Sequence, residues 1–279
     1  MQFVDRLTAA QQRNASLLCV DLNPEPARFP PPWRGDASRI CDFCARIVDA
    51  TKDLVCAFKP QIAYFAAHRA EDQLERLLAH VRRVAPEVPV ILDAKRGDIG
   101  ATAEQYAREA FVRYQADAVT LSPYMGFDSI EPYLKHDGRG LFLLCRTSNP
   151  GAAALQSLRL ASGVMLYEQV AILAAGTWGR GAASGRLGLV VGATAPDEIA
   201  RVRELAPTLP LLIPGVGAQG GDAQATVRAG WRGGDKPGPI IVNSSRAILY
   251  ASAGADHAQA ARRVAQFTRE QLNAARGVN

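Results

Sequence analysis

Eight short apolar runs punctuate the chain, and seven of them lead into a stretch with helical periodicity. The runs are Leu17–Leu22, Val55–Pro60, Pro89–Ala94, Ala118–Leu121, Leu141–Cys145, Leu187–Val191, Leu211–Pro214 and Ile240–Asn243. They are continuous rather than alternating, as suits strands of a parallel sheet buried on both faces. Helical patterns follow at Ala37–Lys52, Glu71–Val84, Thr102–Gln115, Gly163–Ala175, Pro196–Leu205, Asp222–Ala229 and Asp256–Ala275, with Thr102 and Asp222 as expected N-caps. Eight such units point to an α/β fold, a (β/α)8 TIM barrel. A length of 279 residues suits a single barrel domain spanning 1–279. An open doubly wound sheet is the competing architecture, but no G-x-G-x-x-G follows the first run. Rigid Asn23-Pro24-Glu25-Pro26 and Pro30-Pro31-Pro32 stand there instead. The Gly-rich stretches 176–188 and 230–238 read as surface loops or insertions within the domain.

Composition removes several classes. Hydrophobic residues at 48% can build a core, yet no apolar run nears the roughly 20 residues of a membrane helix. The segment from Met1 to Asn14 is amphipathic and polar, without the apolar core of a signal peptide, so a cytoplasmic protein is expected. The net charge is +5, but Arg and Lys are scattered rather than gathered in a nucleic-acid-binding patch. The surplus equally suits an anionic small substrate. Five cysteines, Cys19, Cys41, Cys44, Cys56 and Cys145, do not form a disulfide framework. Cys41 and Cys44 make a C-x-x-C without a second pair, on what reads as a buried helix face. Buried thiols are expected there, with zinc or redox chemistry as the alternative.

Chemistry in such a barrel gathers at the C-terminal ends of the strands. The first run ends in Asp21, the second in Lys59, and the third in Asp93-Ala94-Lys95, with Asp98 after Gly97. Asp93 and Lys95 are two apart, so on an extended strand they share a face, expected to be the barrel interior. A lysine between carboxylates keeps its proton and can deliver it to one spot. The other reading, a salt-bridge ladder at the rim, would contribute little to stability.

The seventh run leads into Pro214-Gly215-Val216-Gly217-Ala218-Gln219-Gly220-Gly221-Asp222, and the eighth into Asn243-Ser244-Ser245-Arg246. Barrels bind phosphate between these two loops. Glycines let backbone N–H groups approach, and an arginine adds a two-pronged contact. Thr147-Ser148-Asn149-Pro150-Gly151 after the fifth run is either a plain turn or a polar edge for a heterocycle. His68, His80, His136 and His257 show no metal-ligand spacing and read as surface or packing residues.

The run Asp93-Ala94-Lys95-Arg96-Gly97-Asp98-Ile99-Gly100-Ala101-Thr102 resembles the D-x-K-x-x-D-I-x-x-T signature of orotidine 5'-phosphate decarboxylases. The stretch 214–222 is similar to their phosphate-gripping loop. The resemblance runs from about Leu17 to Tyr250, and the length resembles the longer bacterial subgroup, with extra residues near 23–35, 152–162 and 230–238. It implies conversion of orotidine 5'-phosphate to UMP and CO2 by a homodimer with shared active sites, without metal or cofactor. Lys95 would give a proton to C6, and Asp93 would sit beside the departing carboxylate. Asp21 and Lys59 would hold ribose hydroxyls, with Lys59 also holding Asp93. Asp98 and Thr102 would reach the partner's site, Ser148 would contact the pyrimidine edge, Gln219 and Arg246 would grip the phosphate, and Ile99, Pro214 and Ser245 would also contact substrate.

Two other readings stay open. A Mg²⁺-dependent 3-keto-gulonate 6-phosphate decarboxylase-like enzyme shares the signature, but a lysine at position 59 would repel the metal. A non-catalytic phosphate-binding barrel would keep the same loops.

Overall fold

The computed structural model describes residues 1–216, 221–233 and 238–277. Its eight strands are β1 Leu18–Leu22, β2 Ala57–Pro60, β3 Ile91–Arg96, β4 Ala118–Leu121, β5 Gly140–Arg146, β6 Leu187–Val191, β7 Leu211–Ile213 and β8 Ile240–Ser244. All pair in parallel, in the order β2-β1-β8-β7-β6-β5-β4-β3. Parallel bridges Phe58↔Val90 and Gln61↔Asp93 join β2 to β3, so the sheet closes on itself. The strand ends differ from the sequence expectation by a few residues, and the consequential difference is β3. It continues past Ala94 through Lys95 and Arg96.

Two apolar layers explain why these runs become strands. Their outward side chains pack under the helices, including Ile40–Thr51, Glu71–Val84, Pro196–Leu205 and His257–Ala275. Their inward side chains form a second cluster within the barrel: Cys19, Ala57, Ile91, Ala118, Phe142, Val190, Leu212 and Ile241. One inward residue from each strand makes a filled layer, so the barrel is a packed core and not a pore. The amphipathic start of the chain forms a helix, Phe3–Arg13, which caps this layer with Phe3 and Leu7. Phe3 meets Phe142 edge-on at 5.6 Å. The sequence showed the amphipathicity of this segment but not its destination, because only the closed barrel creates a hole for Phe3 to fill.

Asp222 is the N-cap of helix Ala223–Gly230, its Oδ1 accepting from Ala225 N at 2.7 Å. The expectation for Thr102 is corrected: the helix is Gly100–Arg108, its N-cap is Ile99, and Thr102 lies within its first turn. Gly100, at φ +55°, makes the bend that starts the helix two residues earlier. All five cysteines are buried free thiols, and burial pushes the Cys56 thiol up to about 12. No helix among the described residues is long and apolar enough to cross a membrane.

Candidate active site

The open, C-terminal end of the barrel carries four charged residues in one connected array. Asp21 and Lys59 are register partners on β1 and β2, and Gln61 just beyond β2 bridges to Asp93 on β3. Parallel pairing therefore sets Asp21 level with Lys59 and Asp93 two residues further towards the mouth, where the long Lys59 side chain reaches both. Lys59 Nζ lies 3.1 Å from Asp21 Oδ2 and 2.7 Å from Asp93 Oδ2. Lys95 Nζ lies 2.5 Å from the other oxygen, Asp93 Oδ1. Asn243, on β8, donates to Asp21 Oδ1 at 2.6 Å.

Lys95 does not reach Asp93 along an extended strand. Its φ is +49°, in the left-handed region, and the β3–β4 register shifts between Leu92 and Arg96. The two side chains meet because the strand bulges, which re-aims a side chain at a strand end. The shared-face expectation reached the right pair through the wrong local geometry.

Burial decides how each group behaves. Burial alone would raise the Asp93 carboxyl, but Lys59 and then Lys95 hold it well below the usual carboxylate range. Burial by itself would lower the Lys59 pKa, but Asp21 and Asp93 outweigh that and push it up. Asp21 is raised by burial, against the pull of Lys59 and Asn243. Lys59 is thus a locked ammonium, its side chain 4% exposed, whereas that of Lys95 is 44% exposed. Both cations on Asp93 line the cavity, and Lys95 is by far the more accessible of the two.

The array floors a cavity of about 630 Å³ whose lining includes Asp21, Lys59, Asp93, Lys95, Thr120 and Ser148. Ser148 is set by close packing after β5 and β6: a Cβ on Gly192 would come within 2.7 Å of Ser148 Cβ. Gln156, from the extra segment after β5, accepts from Thr147 N at 2.8 Å and so ties that segment to the rim. Next to this cavity lies a polar one of about 270 Å³, lined by Asp21, Asn23, Pro214, Gly215, Ser245 and Arg246 among others. Asp21, Asn23, Tyr64 and Pro214 line both, so the two form one site, with the Asp21–Lys59–Asp93–Lys95 array at one end and Arg246, with Glu25 nearby, at the other. The Arg246 side chain is exposed and forms no hydrogen bond or ion pair among the described residues. Gln219 lies outside the described residues.

Asp98, Ile99 and Thr102 line neither cavity of their own chain. Ile99 is 47% exposed, and Asp98 Oδ1 accepts from Ile99 N at 2.8 Å. Sequence reasoning missed Thr120 and the pairing of Asn243 with Asp21. Thr120 was visible as the one polar residue in Ala118–Leu121, but threonine is an ordinary strand former and gave no signal. Among the described residues, no group of three or more His, Cys, Asp or Glu is arranged to hold a metal.

Residues 16–264 match the family model described as orotidine 5'-phosphate decarboxylase / HUMPS family. A protein of Methylibium petroleiphilum named orotidine 5'-phosphate decarboxylase is 72% identical, over 99% of this chain and 100% of its own. One of the same name from Polaromonas naphthalenivorans is 72% identical, over 99% of this chain and 97% of its own. Among solved structures, the Leishmania donovani OMP decarboxylase superposes with a TM-score of 0.84 at 38% identity, covering 100% of both chains. The Methanocaldococcus jannaschii enzyme, at 22% identity and a TM-score of 0.67 over 92% of this chain and 98% of its own, shares the fold.

Proposed function

The chain belongs to the orotidine 5'-phosphate decarboxylase / HUMPS family, and from that premise we propose how its residues carry out the reaction. The activity is that of a carboxy-lyase of pyrimidine biosynthesis, converting orotidine 5'-phosphate to UMP and CO2. The bond from C6 to the carboxylate breaks, CO2 leaves, and the electron pair stays at C6. Lys95 Nζ delivers a proton to C6, and the neutral amine regains one from water. Asp93 lies beside the departing carboxylate, where like charges oppose each other and the opposition vanishes as CO2 departs. The observation that carries this reading is the asymmetry of the two lysines on Asp93: Lys59 is enclosed, Lys95 open to the cavity.

Asp21 and Lys59 hold ribose hydroxyls, and Ser148 meets the pyrimidine edge. Pro214, Gln219, Ser245 and Arg246 surround the phosphate, whose binding energy serves the distant bond cleavage when the loops close. We also propose a cytoplasmic homodimer in which Asp98, Ile99 and Thr102 complete the partner's site. Support comes from their exclusion from their own cavity. The loops after β3 and β4, which meet where Gly97 packs on Ser122, also leave Ile99, Tyr124 and Met125 exposed.

No cofactor enters the scheme. Lys59 puts a fixed positive charge between Asp21 and Asp93, where a divalent cation would have to bind, and this disfavours a Mg²⁺-dependent relative. The test is the loss of orotidylate absorbance with pure protein in EDTA. Full turnover is expected. Activity abolished by EDTA and restored by Mg²⁺ would move the chain to the metal-dependent branch, and no turnover under either condition would leave a binding barrel.

A further inference from the structure

We propose that Thr120 is a positioning residue for the decarboxylation, its hydroxyl holding the Asp93–Lys95 pair in its reactive arrangement; this rests on the function proposed above. In the β3–β4 ladder, Leu92 pairs with Val119 and Arg96 with Leu121. Between these pairs, Asp93, Ala94 and Lys95 stand opposite Thr120 alone. Two backbone N–H groups of that excursion, those of Ala94 and Lys95, have no ladder carbonyl to meet. Both donate instead to Thr120 Oγ1, each at 3.0 Å. The same hydroxyl donates to Asp93 Oδ1 at 2.9 Å, the oxygen that also takes Lys95 Nζ.

A hydroxyl has one donor and two acceptor positions, and here all three are used. Thr120 is 1% exposed, so water does not compete for them. The arrangement acts on both partners of the reactive pair. It ties down the backbone of Lys95, which at φ +49° sits in a conformation that neighbouring structure must enforce. It also orients the Asp93 carboxylate from which the Lys95 ammonium is held. The methyl and backbone of Thr120 serve the strand; the hydroxyl serves the site.

The experiment compares Thr120→Val, which keeps shape and removes the hydroxyl, with Thr120→Ser, which keeps the hydroxyl. Steady-state orotidylate decarboxylation and thermal midpoints are measured for both and for wild type. We expect kcat of the valine variant to fall by roughly 30-fold or more while KM stays within about threefold, because positioning at the reacting centre is lost and the phosphate grip is not. The serine variant should return to within about threefold of wild-type kcat. Should the valine variant not fold, Thr120→Ala takes its place against serine. A valine or alanine variant with wild-type kcat per folded site, or a serine variant as slow as valine, overturns the proposal. Wild type without decarboxylase activity overturns the functional reading itself, a result distinguishable from failure of the Thr120 role alone.

Discussion

Lys95 Nζ sits 2.5 Å from Asp93 Oδ1, while the opposite carboxylate oxygen, Oδ2, is held 2.7 Å from Lys59 Nζ. One carboxylate thus carries two ammonium groups of different kinds. The Lys59 contact is enclosed and acts as a fixed anchor. The Lys95 contact faces the cavity and can be exchanged for a contact with substrate.

Replacing Lys95 by alanine removes the proposed acid and leaves Asp93 facing a like-charged substrate carboxylate. Turnover is expected to fall at least about a thousandfold, some 4 kcal/mol of barrier. A pre-steady-state and steady-state comparison on orotidylate checks it. Retention of a tenth of wild-type turnover would falsify the proton-donor role.

Acid should weaken the fold partly through Asp93. Its folded carboxyl is depressed, so the stability it contributes is present above the ordinary carboxylate pKa of about 4 and is lost as pH falls below it. Asp21, raised by burial, contributes with the opposite sign, so wild type alone does not isolate the effect. Denaturant melts of wild type and Asp93→Asn between pH 7 and 3 do so. The stability gap between them should be largest near neutrality and shrink below about pH 4. A gap that holds constant with pH would remove Asp93 as the titrating group.

Arg246→Ala should separate substrate capture from chemistry. The guanidinium is proposed to touch only phosphate, so kcat/KM for orotidine 5'-phosphate should drop roughly 100-fold or more. The unphosphorylated nucleoside should react at nearly the wild-type rate. Equal losses for both substrates would take the phosphate role away from Arg246.

Mixed refolding tests the shared site. Lys95→Ala and Asp98→Ala chains are unfolded and refolded together in equal amounts, with wild type taken through the same steps as control. In a two-fold dimer, one site of each heterodimer collects both lesions and the other is wholly wild type. Random pairing then returns roughly a quarter of wild-type activity. Heterodimers seen by mass but lacking any recovered activity would confine Asp98 to its own chain.

The sequence by itself determined the barrel and the roster of the charged array. Continuous apolar runs admit little but a sheet buried on both faces, and Asp21, Lys59 and Asp93 are the charges with which such runs end. Those features are local in the chain, so they are legible without coordinates. The tertiary structure decided what depends on contacts between distant segments. It turned the Phe3–Arg13 helix into the plug of the barrel, because the hole exists only once eight strands close. It showed Lys95 reaching Asp93 across a bulge that period-two reasoning does not see. It joined Asn243 to Asp21 across 222 residues and Thr120 to the Asp93–Lys95 excursion across the β3–β4 ladder. Spacing along a strand fixes which residues reach the mouth; whether a hydroxyl or an amide there meets a carboxylate is set by register between strands, which no single segment encodes.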